Sequence, residues 1–323
     1  MSTRRQFLKT SVASAAVVAA PAFAATWPSQ PLRIVVPFAA GGTSDVIARL
    51  LSKPLSDDLG QPVVVDNRAG AAGALGAGVV ANATDGHSVL LSDLGSLAIS
   101  PLILKDLAYK PQQLQGVTLL AYSPYILAAH PSVPASTLDE LVAYSQKKPL
   151  NVASAGSGTP NHLGVVELAL LTGMKWQHVP YKGGAAAIND TIAGTTQLLL
   201  NGAVATYPLV QSGKLKAIGI SKRTTMPLMV NVKPLAQQGA KDFETGTYQG
   251  VMAPSTMPKA SVDRLNAALI QAVRRPEIRA RLVELGAEVQ TSSPSDTTQW
   301  IGTERKRWAG VIERAGKSIE GNA

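Results

Sequence analysis

Short apolar runs alternate with amphipathic stretches along most of the chain. Residues 33–36, 63–66 and 87–92 are rich in valine, isoleucine and leucine, as buried strands are, and each precedes a segment with helical spacing of its apolar residues. The alternation resumes with predicted strands at 151–155, 175–181, 196–200 and 215–221. This pattern predicts an α/β fold with parallel strands, in which ligands bind at the carboxyl ends of the strands.

Two extended stretches interrupt the alternation. Residues 116–130 form a long apolar run that is interrupted at Ser123-Pro124, and residues 248–253 form a second run. We interpret both as crossings between two domains, for which a chain of 323 residues is long enough. The predicted division is an export signal at 1–25, a first domain at 26–123 plus 249–323, and a second domain at 124–248.

Capping residues and prolines predict where helices begin and end. Thr43 or Ser44 is expected to cap the helix over 44–59. Pro54 should kink or break that helix, because proline lacks the N–H group that a helix interior needs. Ser136 is expected to cap the first helix of the second domain.

A glycine-rich turn between the first strand and its helix is a candidate binding site. It comprises Phe38, Ala39, Ala40, Gly41, Gly42, Thr43 and, in the first turn of the helix, Asp45. The first N–H groups of a helix have no partner inside it and carry the positive end of its dipole. A carboxylate or phosphate can therefore bind there without a cationic side chain. An ordinary strand-to-helix turn is the alternative interpretation.

Similar junctions occur in the second predicted domain. A strand is separated from a helix that starts at Pro160 by Ala155 and by the candidate site residues Ser154, Gly156, Ser157, Gly158 and Thr159. Another junction contains Tyr181 and Gly183, and the third strand of the first domain ends at Ser92. Helix N-termini that face each other across a cleft would hold a ligand with carboxylates.

Composition excludes several classes of function. The chain has no cysteine, so disulfides, thiolate metal sites and cysteine nucleophiles are ruled out. The formal net charge is +9, but the charges are scattered and aromatic residues make up only 5%, so no nucleic-acid groove is expected. The histidines lack metal-binding spacing, and neither a metal nor a cofactor is expected. They are His87, His130, His162 and His178.

The first 25 residues read as an export signal. Residues 3–9 resemble a twin-arginine motif, a small-residue apolar stretch follows at 12–20, and Ala22-Phe23-Ala24 matches the small-x-small cleavage pattern. A Sec-type signal is the alternative. Either route predicts a mature protein that is soluble in the bacterial periplasm.

An exported serine hydrolase is an alternative function. Ser157 could serve as the nucleophile and His162, one turn into the next helix, as the base. However, Ser157 has glycines directly on both sides instead of the Gly-x-Ser-x-Gly spacing, and no acid that would orient His162 is evident. The residues of the loop at 154–158 make better sense as hydroxyl and amide donors around a carboxylate. Gly76-Ala77-Gly78 imitates a dinucleotide motif but falls inside a predicted helix, which favours close packing.

Several collinear motifs resemble the Bug family, the periplasmic solute receptors of tripartite tricarboxylate transporters. They are the segments at 27–49, 59–70, 178–183 and 212–217, together with Arg281-Leu282, Gly286 and Arg307-Trp308. The resemblance covers nearly all of the mature chain. It implies a two-domain, type II periplasmic-binding-protein-like fold, with a ligand cleft between the domains that closes on a small carboxylate.

The resemblance also implies how the site works and which partners the protein has. In the family, the turn that matches 38–45 holds one carboxylate, partly through ordered waters, and the segments that match 154–159 and 181–184 reach it from the other domain. The implied partners are a small organic carboxylate and a membrane permease or a sensor protein, and a monomer is expected. The ligand, whether di- or tricarboxylate, amino acid or aromatic acid, stays open, because residues 92–96 vary within the family.

Three departures from the family pattern stand out. His87 occupies a position where tyrosine is usual, and Tyr248 one where tryptophan is usual. Residues 228–233 replace a Leu-Pro-Asp-Val-Pro-Thr-like run. The last departure leaves the path of residues 224–240 open.

Overall fold

The computed structural model describes residues 27–317, so the predicted export signal at 1–25 lies outside the described residues. The strands are β1 (Leu32–Val36), β2 (Val63–Asn67), β3 (Ser88–Asp93), β4 (Leu114–Ala129), β5 (Leu150–Ser154), β6 (Trp176–Pro180), β7 (Leu198–Gly202), β8 (Lys216–Ile220), β9 (Gly246–Pro254) and β10 (Glu288–Val289). The α-helices are α1 (Thr43–Leu59), α2 (Ala74–Ala81), α3 (Leu94–Ile103), α4 (Leu138–Lys147), α5 (Pro160–Thr172), α6 (Gly184–Ile192), α7 (Ala203–Gln211), α8 (Lys259–Arg274), α9 (Pro276–Glu284) and α10 (Pro294–Ala315). Across residues 27–317, none of the helices has the length and apolar character needed to cross a membrane.

One sheet runs through the molecule in the order β2-β1-β3-β9-β4-β7-β5-β6, with β8 and β10 both paired to β4. β1 pairs in parallel with β2 and β3, and β5 pairs in parallel with β6 and β7. The long strands β4 and β9 are antiparallel to their neighbours. The sheet therefore consists of two parallel halves joined by crossing strands, and the predicted α/β fold is confirmed.

Strand β4 belongs to both halves. Residues 114–124 pair with β9, whereas the strand from Tyr125 onward pairs with β7 and β8. The change of partner falls at Pro124, where the sequence predicted a break. The strand is not interrupted there, because Pro124 ends the pairing with β9 and Tyr125 begins the pairing with β7. The absence of a proline N–H therefore removes no bond from the middle of either ladder.

Strand β1 shows why the first half is apolar on both faces. Leu32 and Ile34 pack on one side of the sheet with Ile47 of α1, while Val35 packs on the other side with Leu94 of α3. Helices cover both faces, so the strand carries an almost continuous apolar run instead of an alternating one.

The start of α1 differs from the prediction. Gly42 is the N-cap residue and no side chain caps it, so the prediction that Thr43 or Ser44 caps the helix is wrong. Instead, Oδ2 of Asp45 accepts a hydrogen bond from the N–H of Gly41 at 2.9 Å, from within the first turn. The first N–H groups of α1 are thereby left without an intrahelical or capping partner.

The predicted break of α1 at Pro54 is also wrong. The helix continues through Pro54 to Leu59. The side chains of Ile47, Leu51 and Leu55 are fully buried on both sides of the proline. Their burial outweighs the single backbone hydrogen bond that Pro54 cannot donate.

The cap of α4 lies one residue later than predicted. Thr137, not Ser136, is the N-cap, and its side chain accepts from the N–H of Glu140. The carboxylate of Glu140 in turn accepts from the N–H of Ser136 at 2.6 Å. Because the glutamate reaches back, the capping pair is Thr137 with Glu140.

Residues 224–240, whose path the sequence left open, run along β8 in the second half. Met226, Met229 and Leu235 are buried there. The N–H of Ile220 donates to the carbonyl of Lys233 at 3.4 Å. The segment therefore covers one edge of the second half, away from the carboxyl ends of the parallel strands.

Candidate functional site

An inner cavity lies where the carboxyl ends of the parallel strands of the two halves face one another. It has about 40 Å³ of space for the centres of water-sized molecules, which is room for about three waters. It is lined by Phe38, Gly42, Thr43, Ser44, Asp93, Tyr125, Ala155, Asn161, Gly184, Asn201, Gly202, Thr247 and Gln249. Both halves contribute, so a molecule bound here would be enclosed by the closed protein.

Five helices begin at this inner cavity. Gly42 precedes α1, Asp93 precedes α3, Gly202 precedes α7, Gly184 begins α6, and Asn161 is the second residue of α5. Of the lining residues that the structure describes, none is a lysine, arginine or histidine. An anion bound in this cavity would therefore be attracted by backbone N–H groups and helix dipoles.

Asp45 holds the turn after β1 in place and does not line the inner cavity. Its Oδ2 accepts from the N–H of Gly41 and from Nε of Arg49, each at 2.9 Å, and its Oδ1 accepts from Nδ2 of Asn67 at 3.0 Å. Burial acts to raise the pKa of Asp45, but these hydrogen bonds outweigh it and leave that pKa below its usual value. Asn67 also donates to the carbonyl of Phe38 at 3.1 Å, so the turn is fixed at both ends.

Ser154 and Thr159 shape the turn of the second half from beneath. The hydroxyl of Thr159 donates to the carbonyl of Gly156 at 2.7 Å, and Thr159 caps α5. Oγ of Ser154 accepts from the N–H of Gly156 at 3.1 Å and is hydrogen-bonded to Nε2 of His178 at 2.6 Å. Both residues were predicted to bind ligand, and the structure places them as supports of the loop that does line a cavity.

His162 lies under the same turn and is only 1% exposed. Its Nδ1 accepts from the N–H of Gly158 at 3.1 Å, and its ring stacks on His178 with 3.8 Å between ring centroids. Nδ1 is therefore engaged by the backbone and unavailable as a base for Ser157. These contacts give His162 a role in positioning the turn.

A second, more open cavity lies between the same two halves. Its lining includes Gly156, Ser157 and Tyr181 from the second half, and Ala72 from the first. The hydroxyl of Tyr181 donates to Oδ2 of Asp190 at 2.6 Å, and burial together with this carboxylate raises the pKa of Tyr181 to about 12. The hydroxyl of Tyr181 is therefore engaged within its own half of the molecule.

The two halves touch directly, so the structure is in a closed state. The N–H of Ala39 donates to the carbonyl of Lys182 at 3.3 Å. Gly183 has a φ of 132°, and a Cβ at this position would lie 3.0 Å from the nitrogen of Ala39. Gly158 has a φ of 78°, and a Cβ there would lie 3.1 Å from Cδ1 of Ile103. Glycine is needed at both positions for its backbone conformation and for the close approach of the halves.

The predicted site residues separate into two groups. Phe38, Gly42 and Thr43 line the inner cavity, and Gly156, Ser157 and Tyr181 line the open one. The other predicted residues surround these or support them. They are Ala39, Ala40, Gly41, Asp45, Ser92, Ser154, Gly158, Thr159, His162 and Gly183. Ser92 is fully buried, and its hydroxyl donates to the carbonyl of Asp93 at 3.2 Å.

Sequence reasoning missed most of the polar lining of the inner cavity. These residues are Ser44, Asp93, Tyr125, Asn161, Asn201, Thr247 and Gln249. A signal existed for Asp93 and Asn201, because each lies at the carboxyl-terminal end of a strand next to a helix start. Thr247 and Gln249 come from the antiparallel strand β9, whose register the sequence does not reveal.

The chain matches the family model described as tripartite tricarboxylate transporter family receptor over residues 47–317. The chain belongs to this receptor family. Among curated relatives, protein BugT of Bordetella pertussis is 32% identical over 308 residues, which cover 94% of each chain. The predicted resemblance to Bug-type receptors is thereby confirmed.

Solved structures of similar proteins agree with the fold of this receptor. The periplasmic binding protein BugD has a TM-score of 0.86 and 32% identity over 92% of this chain and 100% of its own. A protein of R. palustris solved with adipate has a TM-score of 0.86 and 30% identity over 90% of this chain and 98% of its own. The predicted periplasmic-binding-protein-like fold with a ligand cleft is therefore confirmed.

Proposed function

We propose that this chain is an exported periplasmic receptor that binds a small organic carboxylate and delivers it to the membrane permease of a tripartite tricarboxylate transporter. The inner cavity carries this proposal, because five helices begin there and none of its described lining residues is a cation. A carboxylate at the start of α1 would accept hydrogen bonds from N–H groups that no side chain caps. The relative solved with adipate supports a ligand of this class.

The proposed binding mode starts on the first domain, at 26–123 plus 249–323, and ends with closure of the second domain, at 124–248. A carboxylate first binds the turn of Gly42 and Thr43. The second domain then brings Ala155, Asn161 and Gly184 over it, which line the same cavity. Closure removes the ligand from water and strengthens its hydrogen bonds in the less polar interior. In this proposal, the protein acts as a monomer and needs no cofactor.

Thermal melting of the mature protein, purified after export, tests the carboxylate proposal. The protein is melted with a panel of small organic acids, and the amide or ester of each acid serves as its matched control. Ligand that binds only the native state raises the melting temperature in proportion to the logarithm of its concentration once its Kd is exceeded. We expect at least one acid to raise it while its neutral analogue does not. No shift with any acid, or equal shifts with the analogues, would contradict the proposal.

Measuring the uptake of the acid by cells distinguishes a transport role from a sensing role. Cells that lack this receptor should lose uptake of the identified radiolabelled acid and regain it when the receptor is restored. A sensor role predicts normal uptake together with a lost transcriptional response to that acid. The hydrolase alternative predicts cleavage of esters or amides that disappears in Ser157→Ala, and we expect no such cleavage.

A further inference from the structure

Two hydrogen-bond acceptors lie side by side in the inner cavity. Asp93, at the end of β3, and Gln249, in β9, are paired across the two antiparallel strands, and both line the cavity. Asp93 is 6% exposed and Gln249 is 1% exposed. Of the described lining residues, Asp93 is the only one with a formal charge.

The orientation of the Gln249 amide is fixed by its neighbours. Its Nε2 donates to Oγ1 of Thr247 at 2.5 Å, and the hydroxyl of Thr247 is hydrogen-bonded to the carboxylate of Asp93. In its ionised form Asp93 can only accept, so Thr247 then donates to it and accepts from Gln249. This order leaves Oε1 of Gln249 as a buried acceptor with no hydrogen-bond partner among residues 27–317. Such a group costs stability unless something donates to it.

The donors around Asp93 are all neutral: besides the hydroxyl of Thr247, the N–H of Tyr248 donates to its carboxylate. Oδ1 accepts from the N–H of Gly95 at 3.1 Å, which caps α3, and the phenol of Tyr125 approaches Oδ2 at 3.4 Å. No cationic side chain is among the described residues that line the cavity beside it. A neutral asparagine would cap the helix equally well. The capping contact therefore does not explain why a carboxylate is buried here.

Resting on the proposed function, we propose that the ligand is an aminocarboxylate, whose carboxylate binds at the start of α1 and whose ammonium group donates to Asp93 and Gln249. An ammonium group supplies the N–H donor that Oε1 of Gln249 lacks and the positive charge that Asp93 lacks. A second carboxylate at this end of the cavity would meet the carboxylate of Asp93 and the lone pairs of Gln249. Asp93 thereby selects against dicarboxylates of similar size.

Matched pairs of acids test this inference. Each pair is a small amino acid and the same acid without its amino group: alanine and propionate, and aspartate and succinate. Calorimetry with the wild-type receptor should show the amino member of one pair binding at least about 10-fold more tightly than its partner. Charge-assisted hydrogen bonds of this kind correspond to roughly 10-fold to 100-fold in affinity.

Asp93→Asn is the decisive variant, because it keeps the cap of α3 and removes the charge. We expect it to lose about 10-fold to 100-fold in affinity for the amino acid and little or none for the deaminated partner. Asp57 is an exposed residue of α1, and Asp57→Asn is the matched control. It should change neither the affinity for the amino acid nor the affinity for its deaminated partner. Equal losses for both partners in Asp93→Asn, or a wild-type preference for the deaminated acid, would overturn the inference and leave the carboxylate receptor intact. No binding of any acid by either protein would overturn the proposed function and the inference with it.

Proton release gives a readout that a merely structural Asp93 would not change. Burial raises the pKa of Asp93 to about 7 in the ligand-free protein. The other titratable group facing it is Tyr125, whose pKa burial and Asp93 raise well above its usual value, so Tyr125 stays neutral. An ammonium group lowers the pKa of Asp93, so binding at pH 7 should release about half a proton. Calorimetry in buffers of different ionisation enthalpy measures this release, which should vanish in Asp93→Asn. Proton uptake, or release unchanged in that variant, would contradict the inference.

Discussion

Gly95 of α3 and Pro160 of α5 meet across the cleft, and a Cβ on Gly95 would lie 2.7 Å from Cγ of Pro160. The two residues belong to different halves of the sheet, so this contact forms only when the halves are closed. Gly95 has no left-handed backbone conformation that would make alanine strained. We predict that Gly95→Ala weakens ligand binding about 10-fold or more, because overpacking of this kind costs about 1–3 kcal/mol. Calorimetry measures the affinity, and small-angle scattering shows whether the liganded protein stays open.

The melting temperature of ligand-free Gly95→Ala provides the control for folding. Alanine is the better helix former, so the open protein should lose no stability from the backbone. The same substitution at Gly302 of α10, where a Cβ would have nothing within 4 Å, should leave affinity unchanged. Wild-type affinity in Gly95→Ala would mean that closure does not bring the two helices together.

Asp45 should stabilise the protein in a pH-dependent way. Asp45→Asn removes the negative charge and one of the two oxygens that accept from Gly41, Arg49 and Asn67, and we expect a loss of about 1–3 kcal/mol in the free energy of unfolding at pH 7. Because the folded-state pKa of Asp45 is lowered, its contribution is present above its unfolded value near 3.8 and fades as pH falls through the folded value. Urea unfolding of the wild type and of Asp45→Asn at pH 7 and at pH 3 measures how much the contribution of Asp45 changes with pH. Asp57→Asn, which removes only an exposed ion pair with Lys53, should cost less than about 0.5 kcal/mol.

Asp93 should have the opposite effect on stability. Its folded-state pKa is raised to about 7, so the folded protein prefers the protonated form and loses stability as pH rises from about 4 to 7. Asp93→Asn should therefore stabilise the ligand-free protein by on the order of 4 kcal/mol at pH 8 and have almost no effect near pH 3. Urea unfolding of the wild type and of Asp93→Asn between pH 3 and pH 8 measures this change in stability. A variant that is less stable at pH 8 would show that the charge of Asp93 supports the fold.

Local sequence signals predicted the framework of the site but not its full lining. The glycine turn after β1 and the loop before α5 could be located because strand ends, glycines and helix starts are short-range features. The choice of Ser92 instead of Asp93 missed the cavity by one position. Side chains alternate faces along a strand, so Ser92 points into the core and Asp93 into the cavity.

The partners of Asp93 could not be predicted for a different reason. Gln249 lies opposite Asp93 only because β9 returns antiparallel between β3 and β4. The sequence predicts that residues 248–253 cross between domains, but the register of such a strand depends on pairing across the whole sheet. Hydrophobic periodicity carries no information about such a pairing.

Gly76 of α2 packs closely against Pro37. Gly76-Ala77-Gly78 imitates a dinucleotide motif, yet it lies within α2, and a Cβ on Gly76 would be 2.7 Å from Cβ and 2.8 Å from Cα of Pro37, directly before the binding turn. Gly76→Ala should lower the free energy of unfolding by about 1–3 kcal/mol, because this overpacking outweighs the roughly 1 kcal/mol that alanine contributes to a helix. Gly302→Ala, in an open position, should instead raise it by up to about 1 kcal/mol. Urea unfolding of the two variants compares them directly. If the free energy of unfolding rose in both variants, α2 would not be packed tightly against Pro37.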